Sequence, residues 1–174
     1  MDSPTMINFI LGLNADQVSQ VVRDFLSEHP DMTKNVYDIA MKVASDVDID
    51  DIMDDVFFEL DRIDFDDLND RSGNTRYGYV DPSEAEFSLF EEALDPFIDE
   101  MEKLQQRSLP AAAKSTCIGI IKGLLKYKKE SKSDFSGWAG DTSNAFVDIV
   151  VKKWKKGKPN KDDIAEVMIV AKGA

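Results

Sequence analysis

An all-α fold is what this sequence predicts, and three observations carry the prediction. From Pro82 to Gln106, apolar residues fall at Phe87, Phe90, Leu94, Phe97, Met101 and Leu104, a 3,4,3,4,3 spacing that lines one helical face. From Ala111 to Lys129 the chain is apolar around most of a helix circumference, the mark of a helix buried between others. No run alternates apolar and polar residues over a strand length bounded by hairpin turns. Together these point to about eight helices in an array of antiparallel pairs. Such an array is an α-α superhelix similar to tetratricopeptide or HEAT solenoids, but without their consensus. Residues 1–174 are expected to form a single helical domain.

Taken in order, Ser3-Pro4 opens a short helix bearing Met6, Ile7, Phe9, Ile10 and Leu13. Asn14 caps a second, with Gln17 at the third helical position and Val18, Val21, Val22, Phe25 and Leu26 as its apolar side. It stops at His29-Pro30, because a residue before proline avoids helical geometry. The next two helices run from about Met32 to Ala44 and from about Asp50 to Leu60. The second of these turns Ile52, Met53, Val56, Phe57 and Leu60 inward. Asp70 to Gly78 has turn chemistry and reads as a mobile loop, with Gly73-Asn74 supplying positive φ.

The long helix starts with Asp81 as cap, Pro82 in the first turn and Glu84 at the capping-box position. About 26 residues at 1.5 Å each give it roughly 39 Å. Pro96 deep inside predicts a bend near Glu92. Pro110 opens the central helix, in which Gly119 and Gly123 mark close approach to a neighbouring helix, and Cys117 is a small core residue. Ser131 to Asp141 reads as a loop carrying Phe135 and Trp138, which either plug a core edge or present a contact. Asp141 caps a helix to about Lys156, with Ala145, Phe146, Ile149, Val150 and Trp154 inward. Asn160 caps the last, from Lys161 to about Lys172, burying Ile164, Val167, Met168 and Val170.

The net charge of −13 conceals a split. Residues 1–107 hold 8 Lys/Arg and 27 Asp/Glu (−19), whereas residues 108–174 hold 13 and 7 (+6). An acidic half and a basic half imply either self-complementarity, within one chain or between copies, or a charged partner. A single cysteine and a start without a basic region ahead of an apolar run point to a reducing, cytoplasmic setting. No stretch approaches the ~18 apolar residues of a membrane span.

Chemistry-bearing patterns are sparse. His29 stands alone, which argues against zinc. Eleven aspartates between 46 and 70 miss the calcium-loop register: from Asp67 the sixth place is Ser72, and from Asp46 it is Asp51. They read as capping residues and a solvated acidic face. Glu91-Glu92-x-x-Asp95 resembles half of the magnesium site of all-α nucleotide pyrophosphohydrolases, with Asp51 to Asp55 as a stand-in for the other half. A basic and aromatic base pocket to match is missing. Lys152, Lys153, Trp154, Lys155 and Lys156, followed by Lys158, form the one basic cluster. Lysines in a last turn complement the helix dipole. They also suit an acidic protein surface, or weak nucleic-acid binding with Trp154 stacking, against which stand the lack of arginine and the repelling acidic half.

Leu13-Asn14-Ala15-Asp16-Gln17, Ser27 to Asp31, Tyr77-Gly-Tyr-Val-Asp81 and Ala93 to Ile98 resemble the helical region that accompanies SWIM-type zinc fingers in uncharacterised prokaryotic proteins. The likeness covers about residues 13–130. The Cys-x-Cys and Cys-x-His of the finger are absent, so the resemblance implies a helical repeat and neither zinc nor DNA binding. The expected function is a non-enzymatic protein-interaction module without cofactor. Its partner is another protein, or itself through its opposite-charge halves. Its contact surfaces are the acidic side of residues 46–102, the Phe135–Trp138 segment and the 152–156 cluster.

Overall fold

The structure, a computed structural model, describes residues 3–76, 78–138 and 140–173, with side chains left aside at positions 3, 75, 137, 138 and 140. Among the described residues there are ten α-helices and two three-residue strands, so the fold is all-α. The chain divides into two compact units, Met1–Val43 and Ala44–Ala174.

The first unit holds α1 (Ser3–Leu11), α2 (Ala15–Glu28) and most of α3 (Thr33–Ser45), with a 3-10 turn at Pro30–Met32. Asn14 caps α2 through a full capping box: its Oδ1 accepts from Gln17 N–H at 2.9 Å, and Gln17 Oε1 accepts from Asn14 N–H at 3.1 Å. His29 is the C-cap of α2, exposed, with its ring 4.9 Å from that of Phe25, as a lone histidine before proline should be.

The second unit is built around α7 (Pro110–Glu130). Its buried residues, among them Ala112, Cys117, Ile118, Ile120, Ile121, Leu124 and Tyr127, cover most of its circumference. Around it lie α4 (Ile49–Asp61), α6 (Pro82–Gln106), α9 (Gly140–Lys155) and α10 (Lys161–Ala171). Of these, α6 and α9 run antiparallel to α7. Phe90 of α6 meets Tyr127, and Asn144 of α9 meets Lys128, while the C-terminal ends of α6 and α9 lie at the start of α7. The other two, α4 and α10, run parallel to it. Asp50 and Asp54 meet Lys122 and Lys126, and Asp163 and Glu166 meet Lys114.

Contact with α4 is the closest. A Cβ added to Gly119 would lie 2.7 Å from Ile52 Cβ, and one added to Gly123 would lie 2.5 Å from Val56 Cγ1 and 2.9 Å from Met53 O. Only glycine at both places lets the backbones approach so far, as the four-residue spacing predicted.

Aspartates do much of the capping. Asp48 accepts from the N–H groups of Asp50 and Asp51 at the start of α4, and Asp81 from that of Ser83 at the start of α6. Asp64 and Asp67 form a capping box that starts α5 (Phe65–Arg71), a helix the sequence reading passed over in the aspartate run. The expected loop at 70–78 is instead a small hairpin, β1 (Gly73–Thr75) against β2 (Gly78–Val80), in which Asn74 faces Tyr79. Gly73 (φ 82°) and Gly78 (φ 127°) take the positive angles, and Asn74 does not.

The face of α6 is rotated from the predicted one. Ala85, Glu86, Leu89 and Ile98 join Phe90, Leu94, Met101 and Leu104 inside. Phe87 is 38% exposed and Phe97 half-buried. Similarly α9 buries Ser143, Val147 and Val151 with Phe146, Val150 and Trp154, leaving Ala145 exposed and Ile149 half-buried. The α6–α7 link is tight because Ser108 adopts φ 59°, letting Leu109 N–H bond back to Leu104 O at 2.9 Å.

Candidate functional site

Apart from Trp138, the charged and aromatic groups singled out as candidate contacts have definite places. Phe135 lies in the short helix α8 (Asp134–Trp138) and is 1% exposed. It packs edge-on against Phe65, with centroids 6.1 Å apart, and beside Phe90 at 6.3 Å. It is therefore a core plug, withdrawn from any contact surface, because the Phe90 cluster offers it more apolar cover than solvent does. The side chain of Trp138 falls outside the described residues.

Trp154 is 2% exposed, and its carbonyl accepts from Gln105 Nε2 at 2.6 Å. It shares with Gln105, Ser108, Ala113 and Asp163 the wall of a cavity of about 310 Å³ at the junction of α6, α7, α9 and α10. A buried indole cannot stack on a base, which removes the aromatic half of the nucleic-acid reading.

Around this junction the lysines face outward. Lys152, Lys155 and Lys156 are exposed and Lys153 is half-buried, all at the C-terminal end of α9, where the helix dipole favours cations. Gln105 packs against Trp154 and Gly157, which brings Lys103 and Arg107 to the same end of the unit. Among the described residues none of Lys152, Lys153, Lys155, Lys156 or Lys158 makes an ion pair.

The lysines of α7 differ. Lys122 Nζ lies 3.3 Å from Asp50 Oδ1, and Lys126 Nζ lies 2.6 Å from Asp54 Oδ1 and 5.0 Å above the Phe57 ring. Lys114 bridges Asp163 at 2.8 Å and Glu166 at 2.7 Å. These hydrogen bonds raise the ammonium pKa of Lys126, through Asp54, and of Lys114, through Asp163 and then Glu166. Lys122 and Lys126 thus join the basic half of the chain to its acidic half, while Lys114 is paired within the basic half.

The carboxylates of the hydrolase reading do not gather. Glu91, Glu92 and Asp95 are exposed on α6, and Glu92 is engaged by Arg71, whose hydrogen bond holds its carboxyl below the usual range. Among the described residues no three of His, Cys, Asp and Glu converge where a metal could sit. Cys117 is buried, and burial pushes its thiol up to about 12, the opposite of an activated nucleophile. No helix among the described residues is long and apolar enough to cross a membrane.

Sequence reasoning missed one polar feature. Glu86 (5% exposed), Tyr127 (0%) and Ser143 each bury a side-chain oxygen without a hydrogen-bond partner among the described residues. Burial pushes the Tyr127 phenol up to about 12. Ser133 offsets part of this without lying in hydrogen-bond geometry, and the Asp61 and Glu86 charges add to it. The off-face position of Glu86 among apolar neighbours gave no signal in a pattern built on Phe87 and Phe90.

Set against protein-family models, curated proteins and solved structures, the chain finds no match in any of the three.

Proposed function

We propose that this chain is a non-enzymatic, α-helical protein-interaction module of the cytoplasm. Its contact surface is the lysine face at the end of α9, and its partner is an acidic protein surface. The observation behind this reading is the contrast between two sets of lysines. Lys114, Lys122 and Lys126 of α7 are matched by carboxylates of α4 and α10, whereas those at 152–156 have no carboxylate partner among the described residues of a chain of net charge −13. Exposed cations held in one patch steer an oppositely charged partner and set its register. A scaffold of helical repeats is also in keeping with the regions that accompany SWIM-type fingers.

Fluorescence anisotropy with a labelled oligo-glutamate peptide tests the reading. Binding is expected to weaken with salt and to fall about tenfold in K152E/K155E/K156E; unchanged binding in that variant overturns it. A magnesium-dependent nucleotide hydrolase using Glu91, Glu92 and Asp95 predicts instead a thermal shift with magnesium or manganese plus nucleotide. Nucleic-acid binding predicts salt-sensitive retention on a phosphate resin.

A further inference from the structure

The pairing of α4 with α7 shows how this chain matches aspartates to lysines. Asp50 and Asp54, four residues apart, meet Lys122 and Lys126, also four apart. On each helix that spacing puts both charges on one face, about 6 Å apart along the axis. A second aspartate row runs beside the first. Asp51 and Asp55 have the same spacing, are exposed, and make no ion pair among the described residues. Lys152, in the last turn of α9, and Lys156, one residue past its end, also stand four apart, exposed and without an ion pair among the described residues.

We infer that the acidic surface met by the α9 lysines is the Asp51–Asp55 row on α4 of a second copy of this chain. The inference rests on the interaction reading above and names its partner. It repeats between molecules the Asp/Lys ladder that α4 and α7 form within one. The two rows sit on different helices, α4 and the end of α9, and the inferred contact is head to tail: each copy that uses its lysine row still offers its aspartate row to another, so assembly depends on concentration. The net charge of −13 opposes it at long range, but at ~0.15 M salt the screening length is about 8 Å, so adjacent rows attract while distant like charges are largely screened.

Sedimentation velocity on the full chain at ~0.15 M salt is expected to show mass increasing with concentration and returning to monomer at ~1 M, where screening falls to about 3 Å. K152Q/K156Q and D51N/D55N, each alone, are expected to stay monomeric; the replacements are neutral because charge-reversed rows would pair with each other in a mixture. Mixed, they retain one intact lysine row and one intact aspartate row and are expected to form a 1:1 dimer that grows no further. Circular dichroism of each variant, with helix content equal to that of the parent, excludes unfolding as the reason for a monomer. A parent chain monomeric at every concentration, or a mixture that fails to pair, overturns the inference. If oligo-glutamate still binds the lysine face in that case, the interaction reading survives and only its partner is wrong; if it does not, both fall.

Discussion

Replacing Gly123 by alanine sets two effects of opposite sign against each other. In a helix interior, alanine is intrinsically favoured over glycine by about 1 kcal/mol. In this fold the new methyl would meet Val56 Cγ1 at 2.5 Å, Val56 Cβ at 2.6 Å and Met53 O at 2.9 Å. A Cβ and a carbonyl cannot swing aside as a side-chain tip can, so α4 and α7 must move apart. Overpacking of a tight core costs about 1–3 kcal/mol, and contact with near-backbone atoms puts this site at the upper end. The net expectation is a loss of about 2 kcal/mol, read as a lower urea midpoint at unchanged slope. Gly157→Ala is a useful control. Its methyl would meet the movable end of Gln105, first Nε2 at 2.7 Å, and puts at risk only that residue's hydrogen bond to Trp154, worth about 1 kcal/mol. A Gly123→Ala protein as stable as the parent, or more so, would refute the close crossing of α4 and α7.

Three further outcomes are expected. Phe135→Ala empties the space beside Phe90 and Phe65 and should cost about 3–5 kcal/mol by urea melt, against less than ~0.5 kcal/mol for an exposed aromatic. Glu86→Gln replaces a buried carboxylate, one oxygen of which has no partner among the described residues, by a neutral amide, and should leave stability unchanged or raise it by about 1 kcal/mol; a loss of more than about 1 kcal/mol would mean the carboxylate is satisfied. Folded Cys117 and Tyr127 titrate near about 12, above their ordinary 9.0 and 10.0, so the folded protein keeps protons that the unfolded chain releases. Stability is then fully present below pH 9 and drains away as pH rises from about 9 to 12, and urea melts of Cys117→Ala should show a shallower decline.

What could be read in the sequence was whatever depends on neighbours along the chain. The caps at Asn14, Asp81 and Asn160 are set by side chains two or three residues from the groups they bond. The centrality of α7 followed from its own circumference, and the Gly119–Gly123 contact from a spacing on one helix. The misread face of α6 had a different cause. Phe87 and Phe97 dominate any hydropathic count, yet burial is decided by where α7 and α9 lie, so Ile98 goes inside and Phe87 lies at the rim against Phe146, 4.6 Å between centroids. The α5 helix was hidden because five aspartates between 61 and 70 look like solvated coil until two of them are seen closing a capping box. The sorting of lysines into matched and unmatched sets was also out of reach, since Lys114 finds its carboxylates 49 and 52 residues away and Lys126 finds Asp54 at a separation of 72.

The parallel seating of α4 against α7 has a bearing on how the chain comes off the ribosome. The surface that α4 turns toward Gly119 and Gly123 stays bare until some seventy more residues have been synthesised, and the polypeptide made in that interval is the strongly anionic one. Mutual repulsion keeps such nascent chains apart, so the acidity of residues 1–107 guards against premature clumping while the glycine-bearing helix is awaited.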